Sequence, residues 1–488
     1  MEKSLAKNSI FYLIYNVLNV IFPFFTGIYV ARILLPTDIG QVETARNLAQ
    51  YFVIFSFLGI PTYGLREISK ARNNQYELNK LYSELMIINT ISTFVFLILY
   101  NLVIFMVPVY RNRIEVFMIT GISIALNLLN NTWLFEGLEK FDYISIRNFI
   151  FKLLSFVLLL IFVRDNGDYL IYALITVIGT AGNYLLNILS SRKYVKFSFD
   201  NIDLKRHMKS IMYLVVVNLA IEIYSMVDIT MLGLMCKKEV VTYYSYGMKI
   251  QKILLQVINT FTMVLVPRIA LYYKNNKIKD FNNLVTKALA VILILALPII
   301  LGTYFLGTSV LVKLYGKNYI RSANVLKILS LAIIISPIGY LLGSRILLVT
   351  GKENKMIYAV GVGAIVNIIG NGFMIPLYEE TGAAIASIVS ELIVAIVYII
   401  LANKYFSLDY KLLKTTIYKV IFSLLIMLGV LLVFNHFDTN SYSILFLQIL
   451  ACVVVYFSIL LITRENIIYA YFDKVKNRII AIKYKDKD

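Results

Sequence analysis

The chain has 488 residues, of which 59% are hydrophobic and 15% charged, and its mean hydropathy is +0.77; soluble domains run near half apolar and a quarter charged, so a water-soluble globule is excluded. The formal net charge of +19 invites a nucleic-acid reading, but the basic residues fall between apolar runs and not on one polar domain, so a membrane accounts for them better. Cys236 and Cys452 lie far apart, in or beside apolar runs, which leaves no disulfide or metal framework.

The first apolar run follows residues 1–9 and ends in Tyr29-Val30-Ala31-Arg32 without a small-residue cleavage signature, so a retained first helix is expected. Apolar runs long enough to cross about 30 Å of hydrocarbon at 1.5 Å per residue then predict spans at 10–33, 40–60, 83–108, 114–135, 141–163, 168–190, 210–234, 242–267, 286–308, 322–347, 354–376, 381–403, 413–434 and 441–463. Backbone groups in lipid must be satisfied within the segment, so these are helices, and the expected fold is an all-α polytopic membrane protein of about fourteen transmembrane helices.

Alternate connections differ in charge. One set holds Arg66, Lys70, Arg72 and Lys80, then Arg192, Lys193, Lys196, Lys205, Arg206 and Lys209, then Arg268, Lys274, Lys277 and Lys279, then Lys352 and Lys355, and finally the tail with Lys474, Lys476, Arg478, Lys483, Lys485 and Lys487. The other set holds Arg111 and Arg113, Arg164, Lys237 and Lys238, and Lys313 and Lys317. Basic loops stay in the cytoplasm, which places both termini there. The tail reads either as a docking site or as an amphipathic segment lying on anionic lipid.

The chain repeats itself at a shift of about 200 residues. Tyr12-Leu13-Ile14-Tyr15-Asn16 echoes Tyr213-Leu214-Val215-Val216-Val217-Asn218, Gln50 falls near Gln251, and Leu134-Phe135-Glu136-Gly137-Leu138-Glu139-Lys140 is matched loosely by Leu348-Val349-Thr350-Gly351-Lys352-Glu353. Two six-helix lobes follow, 1–197 and 198–408, with residues 409–488 supplying two further helices and the basic tail. An even number of helices per lobe inserts both the same way up, the parallel-repeat plan with a substrate site between lobes.

An ionisable group at the bilayer centre costs roughly 2.5–3.5 kcal/mol and calls for a partner, an aqueous cavity or a function. The eighth span carries Ser245, Lys249, Lys252, Gln256 and Asn259 on one helical face, a stripe expected to line a cavity. The second carries Glu43, Arg46 and Gln50, where Arg46 either pairs with Glu43 one turn away or faces the same cavity. The fifth carries Asn148, Lys152 and Ser155 with Arg147 beside them; these two cations either snorkel to the interface or join the cavity. Interhelical pairing is expected of Glu222, Lys327 and Glu391. A cationic cavity selects an anion, and phosphate fits because ammonium and guanidinium groups replace its lost hydration.

Asn16, Pro23 and Arg32-Ile33-Leu34-Leu35-Pro36-Thr37-Asp38-Ile39-Gly40, followed by Gly64-Leu65-Arg66-Glu67-Ile68-Ser69-Lys70-Ala71-Arg72, resemble the polysaccharide repeat-unit flippases, the Wzx-type transporters of O-antigen and capsule. So do Trp133-Leu134-Phe135-Glu136-Gly137-Leu138-Glu139-Lys140 and Ile223-Tyr224-Ser225-Met226-Val227-Asp228. They belong to the superfamily that also holds multidrug exporters and lipid II flippases. The resemblance implies transport of undecaprenyl-pyrophosphate-linked oligosaccharide to the outer leaflet of a bacterial cytoplasmic membrane by alternating access, with polysaccharide polymerase machinery as a partner. By similarity to lipid II flippases, Arg46 and Lys249 match pyrophosphate-binding positions, although the first helix has Asn16 and Asn19 where those relatives have arginine. The resemblance further implies a coupling ion, a proton or a sodium ion, the latter held by Asp228, Asn367, Asn371 and Ser387; alternatively, Asp228 bonds Tyr224 or a neighbouring helix and the asparagines join helices.

Three other functions are weighed. A cation-coupled drug exporter needs an acidic or apolar cavity, not a basic one. A membrane polymerase or ligase needs a large extracellular catalytic loop, and only His207 and His436 are available as imidazole bases. An ATP-driven pump is excluded, because Gly351-Lys352-Glu353-Asn354 lacks the rest of a phosphate-binding loop.

Overall fold

The computed structural model describes residues 5–263, 265–434 and 441–473, with side chains described outside 5–17, 20, 213–214 and 216–225. The side chains of Asn16 and Glu222, most of the echo at 213–218, His436 and the basic tail beyond Asp473 lie outside that set. The described helices are, in order, α1 (Leu5–Ile33), α2 (Pro36–Phe57), α3 (Ile60–Ala71), α4 (Gln75–Met106), α5 (Pro108–Arg111), α6 (Ile114–Leu126), α7 (Thr132–Gly137), α8 (Phe141–Phe162), α9 (Tyr169–Ala181) and α10 (Leu185–Ser191). There follow α11 (Lys205–Met235), α12 (Lys238–Met263), α13 (Val266–Lys274), α14 (Ile278–Tyr315), α15 (Ile320–Leu329), α16 (Ala332–Gly339), α17 (Ile346–Val349), α18 (Met356–Ala402), α19 (Tyr410–Phe434) and α20 (Tyr442–Ile462). No strand occurs among the described residues. Ten helices there are long and apolar enough to cross a membrane, and Ile21–Ile33, Ile114–Leu129 and Met226–Met235 are shorter apolar helices. The chain is a multi-pass helical membrane protein.

Local chemistry sets the helix ends. Pro36 occupies the first turn of α2, where its missing N–H costs nothing. Leu58 and Gly59 both take left-handed backbone angles between α2 and α3, breaking what would otherwise be one rod. Asn74 caps α4 by accepting from the N–H groups of Tyr76 and Glu77 at 3.1 and 3.2 Å. Asp168, just before α9, instead closes the preceding turn, accepting from the N–H groups of Arg164 and Asp165 at 2.9 Å, and these bonds lower its pKa below the ordinary carboxylate value. Glu379, at φ 49°, interrupts α18 just after Pro376, so the expected spans at 354–376 and 381–403 meet at a sharp kink.

The chain divides into two compact units. The first runs to Ser245 and includes Ile375–Glu380; the second holds Tyr246–Met374 and the chain from Thr381 onward. In the first unit α2 is central, packed by α4, α6 and α11, while α8 lies between α1 and α9. Gly40 permits the closest approach there: a Cβ would run into the carbonyl of Lys238, so only glycine fits. Below it Thr44 faces Gly233, Asn47 donates to Thr230 Oγ1 at 2.7 Å and to the Met226 carbonyl at 3.3 Å, and Thr230 reaches the Tyr51 hydroxyl at 3.1 Å. In the second unit α14 carries α15, α16 and α19, and α19 pairs with α20.

The segment joining α10 to α11 is strapped along α4. Gln75 donates to the Tyr194 carbonyl at 2.9 Å, Lys196 N–H donates to Asn79 at 2.8 Å, Ser198 N–H to Ser83 at 2.9 Å, and Asp203 N–H to Glu84 at 2.7 Å. The strap ends in a buried polar knot. Glu84, fully buried, receives Arg206 Nη2 at 2.5 Å and lies 2.9 Å from His207 Nε2, whose Nδ1 is 2.8 Å from the Tyr63 hydroxyl.

Candidate functional site

In the first unit, α2, α8 and α9 bring two expected cations near each other. Arg46 lies one turn from buried Glu43, and the expected ion pair is present but long, at 3.4 and 3.5 Å, leaving the arginine side chain 42% exposed. From α9, buried Tyr172 comes within electrostatic reach of Arg46 and Glu43. From α8, Lys152 comes within electrostatic reach of Arg46. The two cations repel each other, the more so as the dielectric falls, and Glu43 offsets part of that charge. Asn148, on the same face of α8, donates to Asn19 of α1 at 3.2 Å.

The snorkelling alternative for Arg147 and Lys152 is not what the fold does: both side chains are buried, at 4% and 8% exposure. Arg147 is drawn inward by Thr132 Oγ1 at 3.4 Å, by the ring of Tyr143 at 5.4 Å, and by the nearby Glu136 carboxyl. Its partners come from α7 and the start of α8, so it braces that corner, whereas Lys152 stands beside Arg46.

In the second unit the stripe on α12 is accessible along much of its length: Lys249 and Asn259 are half-buried, and Lys252 and Gln256 are exposed. Lys249 sits over the ring of Tyr246, 4.4 Å from its centroid, a favourable cation–π distance. Tyr246 is itself buried against Tyr315 and Tyr319, at 4.7 and 4.9 Å between centroids. This aromatic support escaped the sequence reading. Its signal was the three-residue spacing of Tyr246 and Lys249; Tyr315 ends α14 and Tyr319 follows the break at Gly316, so no periodicity joined them.

The expected ion ligands have these surroundings. In the first unit, buried Asp228 accepts from the Tyr244 hydroxyl of α12, so the neighbouring helix bonds it. In the second, Asn371 donates to Asn367 Oδ1 at 3.2 Å, both buried, and Ser387 donates back to the Ala383 carbonyl at 2.9 Å. Gly370 lies against Ala386 and brings the two limbs of α18 close. Among the described residues no group of three His, Cys, Asp or Glu is placed to hold a metal. Glu391 accepts from Ser336 at 2.7 Å, the interhelical pairing expected of it.

The second unit also contains an apolar cavity of about 430 Å³. Its walls come from α12, α14, α15, α19 and α20, among them Leu254, Pro298, Leu326, Met427, Cys452 and Phe457.

These features define a polytopic helical protein with buried and half-buried cations in both units. The model of a family described as polysaccharide biosynthesis protein matches residues 5–273, more than half the chain, and the protein belongs to that family. It is 24% identical over 400 residues, 80% of this chain and 95% of the relative, to a protein of Escherichia coli (strain K12) whose name proposes it as an O-antigen transporter. Among solved structures it resembles the lipid II flippase MurJ in an inward closed conformation, at a TM-score of 0.74 and 17% identity, covering 94% of this chain and 99% of that one. It also resembles the inward-facing form of a multidrug resistance MATE family transporter, at a TM-score of 0.65 and 13% identity over 80% of this chain and 93% of that one. At these identities the two structures establish the fold alone.

Proposed function

We propose that the protein is a flippase that carries an undecaprenyl-pyrophosphate-linked oligosaccharide from the cytoplasmic to the outer leaflet of a bacterial plasma membrane, for a surface polysaccharide. The observation that carries this reading is the pair Arg46 and Lys152, two cations within electrostatic reach inside a membrane helix bundle, one of them exposed. Glu43 balances only one of these two charges, so the pair carries a net positive charge that is costly in lipid and becomes favourable when a pyrophosphate sits against it. Lys249 and Lys252, on the accessible stripe of α12, are further cations available to the pyrophosphate in this reading, and transport proceeds by alternating access. Arg147, from its buried corner, adds positive potential. The apolar cavity among α12, α14, α19 and α20 suits part of a prenyl chain, since its walls offer that chain surroundings like the lipid it leaves.

The O-antigen assignment in the name of the Escherichia coli relative supports the cargo, and the relatives' transport roles argue against an enzyme. A cationic drug is disfavoured by the same electrostatics that favours an anion, which sets aside the multidrug reading despite the shared fold. Coupling to sodium would use Asp228, Asn367, Asn371 and Ser387; a proton is the other candidate. Both termini lie in the cytoplasm in this reading, and polysaccharide polymerase machinery receives the exported unit on the opposite side of the membrane.

The test is charge reversal. Arg46→Glu and Lys249→Glu, expressed and folded normally, are each expected to lower export of lipid-linked repeat units at least ten-fold and to make those units accumulate inside cells. Export at the parental rate would show that the cradle lies elsewhere.

A further inference from the structure

Helices α19 and α20 stand outside the two six-helix repeats, and their paired ends at Tyr410 and Ile462 form a surface with an unusual charge balance. Lys404, Lys411, Lys414 and Arg464 are all exposed there, and none of them forms an ion pair among the described residues. Two of the acids at this end, Asp409 and Glu465, are occupied. Asp409 caps α19, accepting from the N–H groups of Lys411 and Leu412 at 3.0 and 3.1 Å. Glu465 is fully buried; it accepts from Thr416 Oγ1 at 2.9 Å and from the N–H groups of Ile467 and Ile468 at 2.9 Å, so it caps the short helix over 466–473 and pins it to α19. Lys419 closes the corner by donating to the Arg464 carbonyl at 2.7 Å.

Aromatic rings are interleaved with these cations. Lys404 lies over Tyr405, Lys414 over Tyr418 and Arg464 over Tyr469, at 5.2, 5.9 and 5.7 Å. Tyr410, Tyr418, Tyr471 and Phe472 are exposed, while Ile467 and Ile468 of the same short helix pack into the unit's apolar core. That helix therefore has one face held by the protein and another, aromatic, left outward at the end of two membrane-crossing helices. Tyrosine and phenylalanine rings favour the headgroup level of a bilayer, and lysine and arginine beside them favour anionic headgroups. Past Asp473 the sequence adds Lys474, Lys476, Arg478, Lys483, Lys485 and Lys487 against only Asp486 and Asp488, which extends the same imbalance.

We infer that this end of α19 and α20, with the helix over 466–473, is a binding surface for the headgroups of anionic phospholipid. Charge complementarity selects the occupant: the exposed basic groups form no ion pair among the described residues, Asp409 and Glu465 are spent on capping, and the aromatic side chains set the depth at which a headgroup would meet them. The two additional helices then fix the second unit against one leaflet, a role the transport cradle does not supply.

The experiment uses the full-length protein in nanodiscs of phosphatidylcholine alone or with phosphatidylglycerol, and counts co-isolated phospholipid by native mass spectrometry. The parent is expected to enrich phosphatidylglycerol over its bulk fraction and to unfold at a higher temperature in its presence. Lys404→Gln, Lys411→Gln, Lys414→Gln and Arg464→Gln combined should lower that enrichment about ten-fold and erase the thermal difference, while keeping the parental midpoint in pure phosphatidylcholine. Lys237→Gln with Lys317→Gln, in connections of the other set, should leave enrichment intact. If the combined variant does not fold, Lys411→Gln and Lys414→Gln singly must each reduce enrichment. Equal enrichment in parent and variants overturns the inference. So does equal stabilisation by free inorganic phosphate in phosphatidylcholine, which would assign the surface to a soluble anion. Protection of the surface that requires a second protein would assign it to a protein partner and overturn the inference as well.

Discussion

Glu84 shows what one buried carboxylate can organise. It ties α4 to the strap over 194–203 and to the start of α11 through Arg206, His207 and the Asp203 N–H, and His207 passes the connection to Tyr63 on α3. Removing one partner of such a buried set leaves the others desolvated without an acceptor, at a cost of about 3–5 kcal/mol. Glu84→Ala is therefore expected to lower the unfolding midpoint far more than Glu84→Gln, which keeps one acceptor oxygen, enough for Arg206 and His207 or for the Asp203 N–H but not for both sides. A midpoint for the alanine variant equal to that of the parent, measured in the same detergent, would deny the knot its structural weight. Little of this was legible beforehand. His207 reads in sequence as a loop imidazole, and its carboxylate partner is 123 positions away. Only the presence of an acid near the start of an apolar run, at Glu84, hinted that something must meet it. Arg46 was different: its relation to Glu43 is local, one turn of one helix, and periodicity alone placed the two on one face.

Helices were legible to the degree that their causes are local. The first helix, the turn at Leu35-Pro36 and the break near Glu379 follow from apolar length and proline placement, and the structure has all three. The closeness of α2 to α11 and to the start of α12 was not legible, because it depends on which faces meet. Gly40, Thr44, Asn47 and Tyr51 lie at successive turns of α2 and form one seam, with Gly233, Thr230 and Met226 on α11 and Lys238 and Thr242 on α12. Small residues let backbones approach and polar ones bond across the gap, as membrane helices commonly do. Gly40→Ala forces its new Cβ into the Lys238 backbone, which cannot retreat as a flexible side chain would; overpacking of this kind costs about 1–3 kcal/mol. Gly40→Ala should thus lower both thermal midpoint and export, whereas Thr44→Val, which keeps the shape and removes a hydroxyl bonded only within its own helix, should lower neither by much. Parental behaviour of Gly40→Ala in both assays would mean that the seam is looser than its geometry implies.

At the scale of the whole molecule, composition and run length disclosed a multi-pass helical protein, and the spacing of polar residues disclosed which helix faces could not lie against lipid. What sequence periodicity cannot carry is whether cations far apart in the chain line one aqueous space, because that does not depend on any single helix. Electrostatics offers a direct measure of it. If Lys249 and Lys252 face a chamber also lined by Arg46 and Lys152, a thiol placed on that stripe experiences a positive potential, which concentrates anions and repels cations. With Cys236 and Cys452 replaced by serine, Gln256→Cys is expected to react with a negatively charged thiosulfonate about ten-fold faster than with a positively charged one of similar size, after correction for their rates with a free thiol. The preference should shrink at high salt and in the Arg46→Gln background, and a lipid-linked pyrophosphate should slow both reagents. The opposite preference would describe a chamber made for cations, and with it the multidrug reading would displace the anionic cargo. Absence of reaction with either reagent would place the stripe against lipid or protein and remove the chamber itself.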